Sequence, residues 1–313
     1  MIPLFDLHDD IGYDMMIQKQ KGIENPFAAH EKKLLEGGIK YTSVNCFFDG
    51  HQTWEEMQAM ILNANEQLAK NPSVLQVKGC GHPIREHQVI AFLTVEGMSG
   101  IQDNVTEKIT WMAQQGVRIA SLTWNEENAL ATGVRGTVTR GVTPLGEEAM
   151  RAMADNRMLL DVSHLNEASF WDVIRLYPGK VLATHSNARR LCAHARNLTD
   201  QQIQAIAARK GIIGLNAAKQ FVSINPAKQT VNQLAMHGKY IRDLVGPSVV
   251  ALGFDFMDYF ENETDPMVAG LPNAAHAQNM VTALAEVGFD QEEIAAIAHG
   301  NALRFMHREE TRK

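Results

Sequence analysis

The chain has 313 residues, with 29 Lys and Arg against 36 Asp and Glu, and the resulting charge of −7 leaves no cationic stripe to follow a phosphate backbone. Its 45% apolar and 21% charged residues describe a globular chain and exclude a disordered one; the length allows one large domain or two. The start, MIPLFDLHDD, has acids where an export signal needs basic residues, and no later apolar run is long enough to span a bilayer, so a cytoplasmic protein without membrane or nucleic-acid partners is expected.

Short apolar runs alternate with segments of helical periodicity along the whole chain. The first run, 3–8, ends in His8-Asp9-Asp10 and precedes a helix at 31–36. Run 40–47 leads to helix 54–70, and run 89–96, ending in Glu96, leads to helix 104–115. Run 117–124 ends in Trp124; a long loop over 133–143 follows, and Thr143-Pro144 starts a helix at 146–156. Run 159–164 ends in His164 before helix 167–176, and run 181–185 ends in His185 before a helix at 199–210. Run 211–216, a loop over 221–230 and helix 231–245 come next. Run 249–256 contains Asp255, and helices over 274–287 and 290–306 close the chain. Eight runs, each followed by a helix, predict a (β/α)₈ TIM-type barrel, and the absence of any linker predicts one domain over 1–313.

Barrels of this kind build their sites at the C-terminal ends of the strands, and here those ends carry His8, Asp10, Glu96, His164 and His185. In an extended segment residues two apart share a side, so His8 and Asp10 are expected to face one cation. Imidazoles and carboxylates without thiolate suit zinc, or another borderline divalent metal, in an open catalytic site. Five ligands exceed what one catalytic ion uses but suffice for two sharing a carboxylate, and Glu96 is the expected bridge. Histidines 30, 51, 82, 87, 237, 276, 299 and 307 read as surface or packing residues, and His194 stands between the two readings. Cys46, Cys80 and Cys192 form an odd set without C-x-x-C spacing, which predicts reduced thiols.

The stretches DLHDD, LTVEGM, LLDVSHLNEASF, ATHSNARRLCAHARNLTD and LGFDF, in that order, resemble the renal (membrane) dipeptidase family of zinc metallopeptidases over nearly the whole chain. The resemblance implies two zinc ions, with His8 and Asp10 on one, His164 and His185 on the other, and Glu96 touching both. It implies that Arg196 grips the substrate's C-terminal carboxylate and that Asp255 contacts the amino group and handles protons. It also implies hydrolysis of dipeptides, including those with a D-residue at the C-terminus, by water acidified between the cations, and by analogy a homodimer.

Two departures stand out. Trp124 replaces the histidine that ends the fourth strand in the family, so its indole is expected to bind substrate by donating one hydrogen bond or by narrowing the pocket. Ala217 and Ala218 stand where some members carry aromatic residues. These features favour a rival reading, an amide, lactone or N-acyl amino acid hydrolase on the same metal scaffold. A non-catalytic metal-binding homologue is the other rival, and retention of all five ligands argues against it.

Overall fold

The computed structural model describes residues 1–76, 88–260 and 265–307. Nine strands are parallel: β1 (Leu4–Asp6), β2 (Ile39–Phe47), β3 (Val74–Gln76), β4 (Val89–Glu96), β5 (Val117–Ala120), β6 (Leu159–Asp161), β7 (Val181–Leu182), β8 (Ile213–Leu215) and β9 (Val250–Leu252). Eight of them run side by side in the order β7-β6-β5-β4-β2-β1-β9-β8, and a parallel bridge from Ala183 to Ile213 joins the two ends into a ring. Each expected run contains one of these eight strands, and the (β/α)₈ barrel follows. The short β3, unforeseen in the sequence, pairs with Val89, Ile90 and Ala91 at the start of β4, before β5 takes over at Leu93.

Strand alternation sorts the core into two layers. Ile90 and Phe92 of β4 point inward onto Phe5, Tyr41, Ile119, Leu159 and Leu182, whereas Val89, Ala91, Leu93 and Val95 point outward under the helices. Phe5 stacks on Tyr41 with ring centres 5.2 Å apart. Phe305 and Met306, from the helix Asn301–His307, join this inner layer. The same alternation continues from Ile90 and Phe92 to Thr94 and Glu96, and so delivers the Glu96 carboxylate to the mouth of the barrel.

Several strands stop short of the predicted runs, and the reason is local. Asp6 Oδ1 accepts hydrogen bonds from the amides of His8 and Phe254, and Asp161 Oδ1 accepts from those of Ser163 and Thr184. Carboxylates have replaced ladder carbonyls where the chain leaves the sheet, so residues 8–10, 163–164 and 184–185 are bends, turns and irregular backbone rather than strand. The extended-segment argument for His8 and Asp10 fails accordingly: Asp10 precedes the helix Ile11–Gln20 with φ −76° and ψ 32°, and the turn itself brings the two together. That helix escaped the periodicity reading because its polar and apolar residues do not separate into faces; it buries Asp14 beside Ile11 and Met15. The helix predicted at 31–36 begins at Phe27, while the predicted spans 167–176 and 231–245 match Glu167–Leu176 and Val231–Val245.

Candidate active site

Six side chains meet at the mouth. Glu96 presents Oε2 to His8 Nε2 at 3.6 Å, and Oε1 to His164 Nε2 at 2.5 Å and His185 Nε2 at 3.3 Å. His8 Nε2 also stands 3.6 Å from Asp10 Oδ1 and 3.9 Å from Asp255 Oδ1. Gly97 makes the turn after Glu96 at φ 82°, where a side chain would be strained and a Cβ would lie 2.6 Å from the Phe48 carbonyl oxygen. Asp255 adopts the left-handed region, φ 59°, uncommon for a residue with a side chain.

Electrostatics show what the cluster lacks. Burial pushes the Glu96 carboxyl well above the usual carboxylate range, and it raises Asp255 as well. Burial alone would lower the His8 imidazole, but Glu96, Asp10 and Asp255 together drive it well upward. His164 and His185 fall well below the ordinary value through burial, reinforced by Arg196 and His8. Among the described residues, His8 Nε2 and Glu96 Oε1 are buried without a hydrogen-bond partner, and the His164 and His185 Nε2 atoms approach to 2.9 Å. Donor atoms of His8, Glu96 and His185 lie within 4.8 Å of one another, as do those of His8, Asp10 and Asp255. Buried lone pairs converging on shared points fit divalent cations, which need such donors at about 2 Å.

The atoms behind these side chains fix their orientation. Thr184 Oγ1 donates to Asp161 Oδ2 at 2.6 Å, so its lone pairs must accept from His185 Nδ1 at 2.7 Å and His8 Nδ1 at 3.3 Å. Asn125 Oδ1 likewise accepts from His164 Nδ1 at 3.0 Å. His164 and His185, the two imidazoles held low, therefore turn an unprotonated Nε2 toward Glu96, and with its Nδ1 proton on Thr184 the Nε2 of His8 is the nitrogen that a cation would take. Asn45 donates to Asp10 Oδ1 at 2.6 Å, and Asn216 donates to Asp255 Oδ2 at 2.9 Å, leaving Oδ1 toward His8. Thr184, Asp161, Asn125, Asn45 and Asn216 were not foreseen; the available signal was polar residues set in buried apolar strands, as in KYTSVNCF.

These groups floor a cavity of about 740 Å³. Its wall includes Arg196, Trp124, Arg135, His194 and Phe221. Arg196 is buried; one guanidinium nitrogen donates to the Ser163 carbonyl and another lies 2.9 Å from His164 Nε2. Half-buried Trp124 meets Phe47 edge to face, and its indole N–H has no partner among the described residues. His194 lines the cavity, and His51, read as a surface residue, is exposed on its rim. Ala217 and Ala218 are buried outside the cavity lining; the aromatic wall there is Phe221. Cys46 and Cys192 are buried free thiols, while Cys80, His82 and His87 lie outside the described residues. A wider groove near Trp54 and Trp111 holds none of the ligand-type clusters. Among the described residues no helix is long and apolar enough to cross a membrane.

A closed parallel barrel whose strand ends gather imidazoles and carboxylates on the floor of an open cavity has the architecture of a metal-dependent hydrolase. The chain belongs to the membrane dipeptidase family, peptidase family M19, whose family model matches residues 1–313, and it is a metallopeptidase. It is 29% identical, over 81% of its length and 94% of the relative's, to an uncharacterized protein in the pqqA 5′ region of Klebsiella pneumoniae. Among solved structures it resembles an amidohydrolase from Pseudomonas aeruginosa, at TM-score 0.83 and 18% identity, over 98% of this chain and 96% of that one. It also resembles a metallopeptidase from Rhodobacter sphaeroides bound to a phosphinate mimic of L-Ala-D-Ala, at TM-score 0.82 and 21% identity over 98% and 99%. At these identities the two structures support the fold.

Proposed function

We propose that this chain is a dipeptidase working with two divalent cations, zinc being the expected ion, with His8 and Asp10 holding one, His164 and His185 the other, and Glu96 both. The observation that carries the reading is the division of Glu96, one oxygen toward His8 and the other toward His164 and His185, beneath a cavity walled by a buried arginine. Such cations, when bound, lower the pKa of water toward neutrality and polarise a carbonyl.

The chain's own residues supply the rest. Arg196 offers a planar fork of donors to the free carboxylate of a short peptide, which limits substrates to those whose C-terminus ends there. Binding that carboxylate replaces the contact between Arg196 and His164 Nε2. Asp255 has the most exposed side chain of the three carboxylates, at 14%, and Asn216 ties up its Oδ2. Oδ1 is then free to meet the substrate amino group, take a proton from the attacking water and return it to the leaving amine. The unpartnered Trp124 indole N–H is positioned on the cavity wall to donate to substrate. The L-Ala-D-Ala mimic bound by the Rhodobacter sphaeroides metallopeptidase supports including dipeptides with a D-residue at the C-terminus.

The reading is tested by measuring amino-acid release from L,L-, L,D- and D,L-dipeptides with zinc, manganese or cobalt supplied separately, alongside metal content per chain. About two ions per chain and cleavage of free dipeptides are expected. Arg196→Ala should impair free dipeptides far more than dipeptide amides, which lack the carboxylate. Activity on N-acyl amino acids or lactones without dipeptide cleavage would replace this reading with the rival that Trp124 favours, and full activity with only trace metal would end it.

A further inference from the structure

We propose that Arg135 reads an anionic side chain on the C-terminal residue of the substrate, so that the enzyme prefers dipeptides ending in aspartate or glutamate. This rests on the dipeptidase reading above. Arg135 lies in the irregular stretch after β5, and that stretch is stitched to the site by its backbone. The Val134 amide donates to the His164 carbonyl at 3.0 Å and the Arg135 amide to the Asn125 carbonyl at 2.9 Å, with Gly136 closing the turn onto Gly133 at 3.0 Å. The base of the side chain is thus held by the same residues that hold the metal centre.

The guanidinium lies over the Trp124 ring, 5.7 Å from its centre, on the wall that also carries Arg196 and His194. A planar cation on an indole face is a favourable pairing that orients the fork without consuming its N–H donors. Among the described residues, nothing forms an ion pair or hydrogen bond with that exposed guanidinium. The Trp124 ring beneath it lies 6.2 Å from the His164 ring, centre to centre. Arg135 therefore stands on the His164 side of the cavity, whereas Asp255 stands beside His8.

This makes the cavity polar along the substrate. The amino end has Asp255; the carboxyl end has two arginines, and the substrate's terminal carboxylate satisfies one. A neutral side chain at that end leaves Arg135 unpaired over Trp124, and a basic one is repelled. A carboxylate side chain matches it.

The test compares kcat/KM of the metal-loaded protein for Ala-Glu, Ala-Gln, Ala-Ala and Ala-Lys, each with L and D second residues. Because the contact is exposed, the preference for Glu over Gln should be about fivefold at low salt and should shrink as ionic strength rises. Arg135→Gln should bring that ratio close to one, and Arg135→Glu should invert the order of Glu and Lys, with melting curves confirming that both variants fold. Cleavage of Ala-Ala and Ala-Gln without an acidic preference, or a preference that survives in Arg135→Gln, overturns this inference alone. Failure to cleave any dipeptide overturns the dipeptidase reading and this inference with it.

Discussion

A single hydroxyl, that of Thr184, governs two imidazoles at once. Its proton goes to Asp161, so it can only accept from the Nδ1 atoms of His185 and His8. Were it absent, each ring could place its proton on Nε2, the nitrogen that must be bare to bind a cation. Thr184→Val preserves the shape and removes the hydroxyl, whereas Thr184→Ser preserves the hydroxyl. Cation affinity measured by chelator competition should fall about 10- to 100-fold in the valine variant and recover in the serine variant. Equal affinities in wild type and Thr184→Val would show that the rings are oriented without it. Arg196 shows the complementary point: in the structure it donates to the Ser163 carbonyl, so its fork is partly anchored before any substrate arrives.

At the scale of elements, the helix Val231–Val245 holds the loop after β7 in place through His237. The fully buried ring accepts from the Ala188 amide at 3.1 Å and donates to the Val222 carbonyl at 2.9 Å, which fixes a neutral tautomer. Burial lowers its pKa to about 4, against an ordinary 6.5, with the Val222 contact opposing. The unfolded chain therefore binds this proton first: the contribution is intact above about pH 6.5, declines as pH falls, and has cost about 3 kcal/mol by pH 4. Denaturant titrations from pH 7 to 4 should show wild type losing that much more stability than His237→Gln, and parallel losses would exclude the role. His237 was legible only as a packing residue, because its partners are backbone atoms far along the chain. That His8, Asp10, Glu96, His164 and His185 gather at one end of the barrel was legible, since the barrel rule operates on short sequence windows. The side chains behind them were not: Asn125, Asn216 and Thr184 meet their partners through turns that depart from the ladder, and no local spacing encodes those meetings. The same reason hid the true path from His8 to Asp10, and β3 was too short to register as a run.

For the whole molecule, the packed apolar interior and the polar mouth lie at different levels of the barrel. Phe305, brought by the last helix, packs in the inner layer with Phe5 and Phe92, while the ligands occupy the mouth. Phe305→Ala should cost about 3–5 kcal/mol in a denaturant midpoint while leaving cation stoichiometry unchanged. A loss of metal in the still-folded variant would show that the two ends of the barrel are coupled. The ring itself is uneven. β7 is two residues long, and the chain meets β8 just past its end, where Ala183 bridges to Ile213 and the Gly214 amide donates to the Ala183 carbonyl at 2.8 Å. Cβ atoms at Gly214 and Gly253 would sit 1.9 and 1.8 Å from the Thr184 carbonyl oxygen, so the backbones there touch with nothing between them. This is the slimmest stave of the barrel, and it is the one that carries His185 and leads into the loop bearing Arg196. Cations held between His185, Glu96 and His8 would act as a rivet across that seam, tying the end of β7 to those of β4 and β1. Removing such cations would then loosen this stave as well as stop the chemistry.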